Sequence, residues 1–343
     1  MAQQGLRMGE RQLEEMLARV TKPGRYVGGE WNQVRKPWET ASVRVALAFP
    51  DIYEIGMSNL GLAILYDILN REPDVLAERC YVPWVDMEAE IRAAGAPLWT
   101  LESHRPLRDF DVVGISVPYE QLYTNVLNLL DLAGIPLRSD QRAEGDPLVL
   151  VGGGSATNPE PMADFYDAVV VGEGEEAILD VVAAVRRWKA DGVGRSALLR
   201  RLAGIAGVYV PSLYTADEGG VAVRPRFADV PERVARRVVR RLPPPPVKPV
   251  VPHLDVVHNR ATLEIQRGCT RGCRFCHAGF TYRPVRERPL EEIVEAVEQL
   301  VRNTGYDELA LVSLSSSDYR RIGELVQALR ARYAQEYLSV SLP

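Results

Sequence analysis

Chemistry is concentrated at one place in this sequence. The segment Arg267-Gly-Cys269-Thr-Arg-Gly-Cys273-Arg-Phe-Cys276-His277 sets three thiols within eight residues, while the fourth cysteine, Cys80, stands alone. Three thiols cannot pair off among themselves, and in a reducing compartment such a cluster reads as metal binding or redox chemistry. Spacings of three and two residues let one loop wrap its thiolates around a shared centre. Gly268 and Gly272 permit the tight backbone this needs, and Arg267, Arg271 and Arg274 would lower thiolate pKa values and offset an anionic cluster. Three cysteines are one short of the usual four for a [4Fe–4S] cube, which leaves one iron free to bind something else. Zinc is the competing occupant, with His277 completing a Cys3His set. Adjacent residues rarely both reach one tetrahedral ion, however, and no second half-site is present. A non-catalytic binding module with a structural Cys-bound metal therefore stands beside an enzyme as a reading.

The elements around the thiols set their position. ATLEIQRGC reads as a strand, Pro289–Asn303 as a helix, Asp307–Asp318 as a second strand, Arg320–Ala334 as a helix, and YLSVSLP as the start of a third strand. The thiols then sit at the C-terminal end of a parallel strand, where α/β folds place their sites. Upstream, VRVALAFP is β-rich, and Asn59–Asn70 follows with Leu60, Ile64, Leu65, Ile68 and Leu69 on one helical face. RCYVP, a helix at Met87–Ala94, a strand near Leu98–Thr100, the continuous apolar run Phe110–Pro118 and a helix at Gln121–Ala133 come next. Strands at Leu148–Gly154 and Asp167–Gly174 and a helix at about 175–190 complete a repeated β–α alternation, which predicts a doubly wound parallel sheet. GVYVPSLY and VAVRP flanking ADEGG predict a β-hairpin with a glycine turn, and Pro243–Pro246 predicts a semi-rigid spacer. The expected organisation is a helix and connector at 1–41, an α/β domain at 42–204, a hairpin and proline-rich linker at 205–255, and a second α/β domain at 256–343.

Cys269-x3-Cys273-x2-Cys276, with Phe275 just before the last cysteine, resembles the signature of the radical S-adenosylmethionine (radical SAM) superfamily. The resemblance implies that the three thiolates hold a [4Fe–4S] cluster whose fourth iron chelates SAM. Reductive cleavage would then give methionine and a 5′-deoxyadenosyl radical for methyl transfer or a related modification. It implies a SAM contact at Phe275 and at Ser315, Ser316, Ser317 and Asp318, where the family usually has a Gly-Gly-Glu-like segment; a serine-rich turn with Asp318 as helix N-cap is the plainer reading. The second domain is expected to be an incomplete radical SAM (β/α) barrel. From Thr262 onward the chain holds two βα units and the start of a third strand, against about 250 residues for a full barrel. It therefore reads as truncated within the barrel, with an isolated chain that does not turn over substrate normally.

The first domain is similar to the flavodoxin-like cobalamin-binding domain that many radical SAM proteins carry. That domain's D-x-H-x-x-G, Ser and Gly-Gly fingerprint corresponds to Asp51-Ile-Tyr53-Glu-Ile-Gly56, Ser116 and Gly152-Gly153. Tyr53 occupies the place of the cobalt-ligating His. The resemblance thus allows either cobalamin held without a His axial ligand or a domain that has kept the shape alone.

Composition bounds the rest. The 343 residues carry 41 Lys+Arg against 46 Asp+Glu, a net charge of −5, with 46% hydrophobic residues, as in an ordinary soluble chain. Mild acidity gives no general reason for a duplex nucleic acid or anionic membrane partner. No apolar signal core or 18-residue apolar run occurs, so a cytoplasmic protein without membrane spans is expected. Arg236, Arg237, Arg240 and Arg241, and Arg283, Arg286 and Arg288, read as solvated faces, with RNA contact as the sharper alternative. The expected partners are an unknown substrate, RNA or protein, and a reductant such as flavodoxin or ferredoxin. Cys80 reads as a small buried side chain.

Overall fold

Strands buried on both faces and helices that cover them generate the first half of the chain. The computed structural model describes residues 9–217 and 222–342. It divides into a first unit, Met1–Gly29 with Val34–Val238, and a second, Glu30–Gln33 with Val239–Pro343.

In the first unit, α1 (Glu10–Leu17) buries Leu13 and Met16. Then follow β1 (Val43–Phe49), α2 (Tyr53–Gly56), α3 (Leu60–Arg71), β2 (Val75–Tyr81), α4 (Val85–Ala94), β3 (Val112–Ser116), α5 (Tyr123–Leu132), β4 (Leu148–Gly152), β5 (Ala168–Val170), α6 (Gly174–Asp191), α7 (Arg195–Ala203) and β6 (Val208–Tyr209). The sheet order is β2-β1-β3-β4-β5-β6, parallel except for β5 against β6. This is the doubly wound flavodoxin-like order with one antiparallel strand added, and it reverses direction between β1 and β3. β2 is buried throughout its length, as expected of a sheet covered on both faces. α3 starts at Asn59, whose side chain accepts the Leu62 N–H at 2.9 Å. Its buried residues are Leu62, Ile64, Tyr66 and Leu69. α3 packs on β2 and on α6, which widens its apolar stripe beyond the single face read from sequence.

Two local expectations are corrected. Residues 98–100 form no strand; Trp99 makes an isolated bridge to Pro106. GVYVPSLY does not run as one hairpin arm: Val208–Tyr209 completes the main sheet, and only β7 (Tyr214–Ala216) pairs with β8 (Val223–Pro225). The turn, at 218–221, lies outside the described residues.

The second unit holds β9 (Ala261–Glu264), β10 (Gln266–Arg267), α8 (Ala278–Thr281), β11 (Arg286–Glu287), α9 (Leu290–Thr304), β12 (Glu308–Val312), α10 (Ile322–Tyr333) and β13 (Ser339–Ser341). β9, β12 and β13 form a parallel sheet in the order β13-β12-β9. Ala261, Leu263, Ile265, Leu309 and Leu311 face α9 and α10 in a closed core. By strand alternation Thr262 and Glu264 lie on the other face. The proline segment is not a free spacer. The carbonyls of Val239 and Pro243 accept from Arg286 and Arg288 at 2.6 and 2.9 Å, and that of Val247 accepts from Asn303 at 2.8 Å. Prolines cannot donate, but their extended backbone leaves its carbonyls open to such donors.

Candidate cofactor sites

The cysteine loop leaves the C-terminal end of β9 and is closed at its neck. β10 and β11 pair antiparallel, Gln266 opposite Glu287 and Arg267 opposite Arg286, so the loop's two ends are held together. Gly268 turns the chain with φ +86°; a Cβ there would lie 2.5 Å from the Tyr282 carbonyl oxygen and 2.6 Å from that of Pro284. Arg267 forks onto Glu264 at 2.8 and 2.9 Å. Inside the loop, Arg283 donates to the Gly279 carbonyl at 3.0 Å and stacks on Phe280.

Cys269 is buried, Cys276 half-buried and Cys273 exposed. Two sulfurs accept backbone N–H groups: Arg271 N–H to Cys269 Sγ at 3.4 Å and Gly279 N–H to Cys276 Sγ at 3.3 Å. Among the described residues, no three His, Cys, Asp or Glu side chains converge as a cage for a single ion. His277, the fourth ligand that a zinc site would need, lies 3.2 Å through Nε2 from Thr281 Oγ1 on its own short helix.

Beside this loop stands the turn after β12. Ser316 is buried, its Oγ donating to the Leu311 carbonyl at 3.3 Å and lying 3.0 Å from Ser313 Oγ. Asp318 ends a 3-10 turn, Ser316–Asp318, and receives a bidentate pair from Arg271. That guanidinium holds the Asp318 carboxyl below the usual carboxylate range. Asp318 is therefore not the N-cap of α10, which starts after Arg321 without a side-chain cap. The Phe275 side chain is 92% exposed at the loop's tip. One residue escaped the sequence reading: Gln266, 1% exposed, has its Oε1 buried with no hydrogen-bond partner. A lone amide between Ile265 and Arg267 in an apolar strand was the available signal.

In the first unit the fingerprint residues separate into two groups. Asp51, Ser116, Gly152 and Gly153 follow or end β1, β3 and β4, at the C-terminal ends of three adjacent strands, of which β1 and β3 flank the reversal. Ser116 is in register with Gly152, and Asn125 donates to the Pro50 carbonyl at 2.9 Å from the β3 side. Gly153, φ +118°, lies so close to β3 that a Cβ would meet the Val117 oxygen at 2.5 Å. Tyr53 and Gly56 are different. Both are buried in α2, and the Tyr53 ring, 1% exposed, stands edge-on to Tyr81 at 5.5 Å. Tyr53 is thus a core residue and not a crevice group, so the expectation of a crevice side chain at this position is corrected.

The arginines also divide. Arg286 and Arg288 are buried and bind backbone carbonyls, so neither belongs to a solvated face or a phosphate-binding patch. Arg237 is neutralised by Glu176 and Asp180 at 2.8 and 3.2 Å, whereas Arg240 and Arg241 are exposed. Cys80 is fully buried in β2, and burial pushes its thiol well up. Among the described residues no helix is long and apolar enough to cross a membrane.

A cysteine loop at the end of a parallel sheet, preceded by a flavodoxin-like domain, defines a two-part α/β architecture. Residues 61–211 match the family of radical SAM proteins, N-terminal, and residues 263–342 match the radical SAM superfamily. The chain thus carries a radical SAM N-terminal domain followed by a radical SAM domain. It is 24% identical over 289 residues to an uncharacterized protein of Methanocaldococcus jannaschii, covering 83% of this chain and 52% of that one. It thus spans about half the length of this curated relative. Its fold is similar to that of the radical SAM methyltransferase TsrM from Kitasatospora setae, solved with cobalamin and a [4Fe–4S] cluster bound. There the TM-score is 0.52 at 17% identity, covering 85% of this chain and 51% of that one. It is similar also to the cobalamin-dependent SAM radical enzyme OxsB, solved with aqua-cobalamin and SAM, with TM-score 0.50 at 14% identity over 88% of this chain and 38% of that one.

Proposed function

We propose that Cys269, Cys273 and Cys276 hold a [4Fe–4S] cluster that leaves one iron for SAM, and that the chain serves methyl transfer or a related radical modification. The observation that carries this reading is the thiol loop itself, closed at its neck and supplying backbone N–H groups to two of its sulfurs. When bound, the cluster would pass one electron, supplied by a flavodoxin- or ferredoxin-type reductant, to the sulfonium and so break the bond to the 5′-deoxyadenosyl carbon. The chain's own residues do the rest. Gly268 aims the loop, the Arg271 and Gly279 amides donate to the Cys269 and Cys276 sulfurs, and the β10–β11 neck holds the loop's ends in register. The unpartnered Gln266 oxygen, three residues before the first thiol, suits a ligand N–H or O–H donor, since leaving it unpaired costs about 1–3 kcal/mol.

The crevice between the β1 and β3 ends is read as a cobalamin-type crevice without a protein axial ligand. The strand order and the cofactors of the two solved enzymes support it; the buried Tyr53 offers cobalt nothing. The substrate, RNA or protein, is a further proposal.

Anaerobic reconstitution tests the main reading. Iron and labile sulfide, a brown absorbance near the visible edge and a spectral change on adding SAM are expected. Colourless protein that carries zinc and takes up no sulfide would overturn it.

A further inference from the structure

Arg271 sits midway between Cys269 and Cys273 and is held at both ends. Its backbone N–H donates to Cys269 Sγ at 3.4 Å, and its guanidinium forks onto Asp318, Nε to Oδ2 at 2.7 Å with Nη2 on the other oxygen. One residue thus links a thiol to a turn 47 positions away. The link is short in space because β9 and β12 are sheet neighbours, Glu264 opposite Val312, so both loops leave the same end of adjacent strands.

The two partners differ in firmness. The Asp318 N–H donates to the Ser315 carbonyl at 3.0 Å, and the turn is fastened to β12 through Ser316 Oγ and the Leu311 carbonyl. The next residue, Tyr319, is buried, and its hydroxyl donates to the Arg288 carbonyl at 2.9 Å. Asp318 is therefore a fixed post, 23% exposed, to which the more exposed Arg271, at 62%, is tied. A forked guanidinium fixes direction as well as distance, which a lysine ammonium does not.

We propose that the Arg271–Asp318 pair positions the cysteine loop, setting its first sulfur for cluster uptake and committing the Asp318 carboxylate to that role. This rests on the reading of the loop as a cluster site. Asp318 is a positioning residue here, because it acts through Arg271.

The experiment uses the full chain. Iodoacetamide labelling of the metal-free protein, read by mass spectrometry, gives the exposure of each thiol. Anaerobic iron and sulfide uptake gives the rate of loading. Asp318→Asn and Arg271→Ala are each expected to speed Cys269 alkylation and slow uptake about two- to five-fold, the range for one partly exposed pair. Cys80 alkylation should stay unchanged. The reversed pair, Arg271→Asp with Asp318→Arg, should restore both rates. Arg332→Ala, which breaks a pair with Glu298 away from the loop, should alter neither. Single variants that label and load like the wild type, or a reversed pair that rescues nothing, would overturn the positioning role. Wild-type protein that takes up no iron or sulfide would overturn the cluster reading instead, and the alkylation arm would still decide whether the pair orders the loop.

Discussion

Gly268 is the residue on which the cysteine loop turns. Its left-handed φ already disfavours a side chain, and the atoms a Cβ would strike are backbone oxygens, which cannot swing aside. Gly272 shares the left-handed φ, but a Cβ there would meet only the tip of Arg283, at 3.7 Å. Gly268→Ala is therefore expected to cost about 2–4 kcal/mol and Gly272→Ala about 1 kcal/mol. Thermal melts of the metal-free chain should order the two variants so, with iron content after reconstitution falling most in Gly268→Ala. Equal losses would show that φ alone matters and that the close approach to Tyr282 and Pro284 does not. At this scale the sequence was informative where the signal is local: three cysteines and two glycines lie within one short segment. Asp318's partner and the orphaned Gln266 oxygen were not legible, because each depends on what a distant segment brings beside it.

Elements were legible for the same reason, up to their edges. The apolar runs of β1, β3 and β4 and the amphipathic α9 carry their own periodicity, whereas the short β6 exists only because β5 offers it an edge. Charges inside elements were the least legible. Arg286 and Arg288 look solvated in sequence, yet tertiary carbonyls bury them. β2 and the segment after α4 hold a further case. Glu102 accepts the Arg79 backbone N–H at 2.7 Å and its guanidinium at 2.6 Å, and Glu78 lies buried nearby under Ser103 and Thr100. Burial pushes the Glu102 carboxyl up to about 7, with the Arg79 charge opposing and Glu78 adding to it. An unfolded chain releases that proton near 4.5, so between the two values the folded state binds more protons and stability falls as pH rises. The loss is at most about 3 kcal/mol. Urea unfolding from about pH 4.5 to about pH 8 should show this decline in the wild type and a flatter profile in Glu102→Gln. Parallel profiles would mean that Arg79 keeps Glu102 ionised throughout.

At the scale of the whole molecule, the two units present the same device twice, a parallel sheet whose C-terminal strand ends carry the candidate ligand groups. The doubly wound order was readable because β–α alternation over a long stretch admits few arrangements. What it could not reveal was that Tyr53, which the resemblance sets at the position of the cobalt-ligating His, turns inward onto Tyr81. The candidate ligand groups of each unit come from that unit's own strands, so on the proposed reading loading of one should not need the other. Cys269→Ala, Cys273→Ala and Cys276→Ala combined are expected to abolish iron uptake while leaving hydroxocobalamin uptake within about two-fold of wild type. Tyr53→His should retain the spectrum of corrinoid lacking protein imidazole, because the new ring would lie in the core. It should also lower stability by about 2–4 kcal/mol through lost packing and a buried imidazole. An imidazole-ligated cobalt spectrum in Tyr53→His would mean that α2 can rotate this side chain out to the strand ends. Absence of corrinoid uptake by the wild type would leave the first sheet as a scaffold alone, with the cysteine loop as the chain's one cofactor site among the described residues.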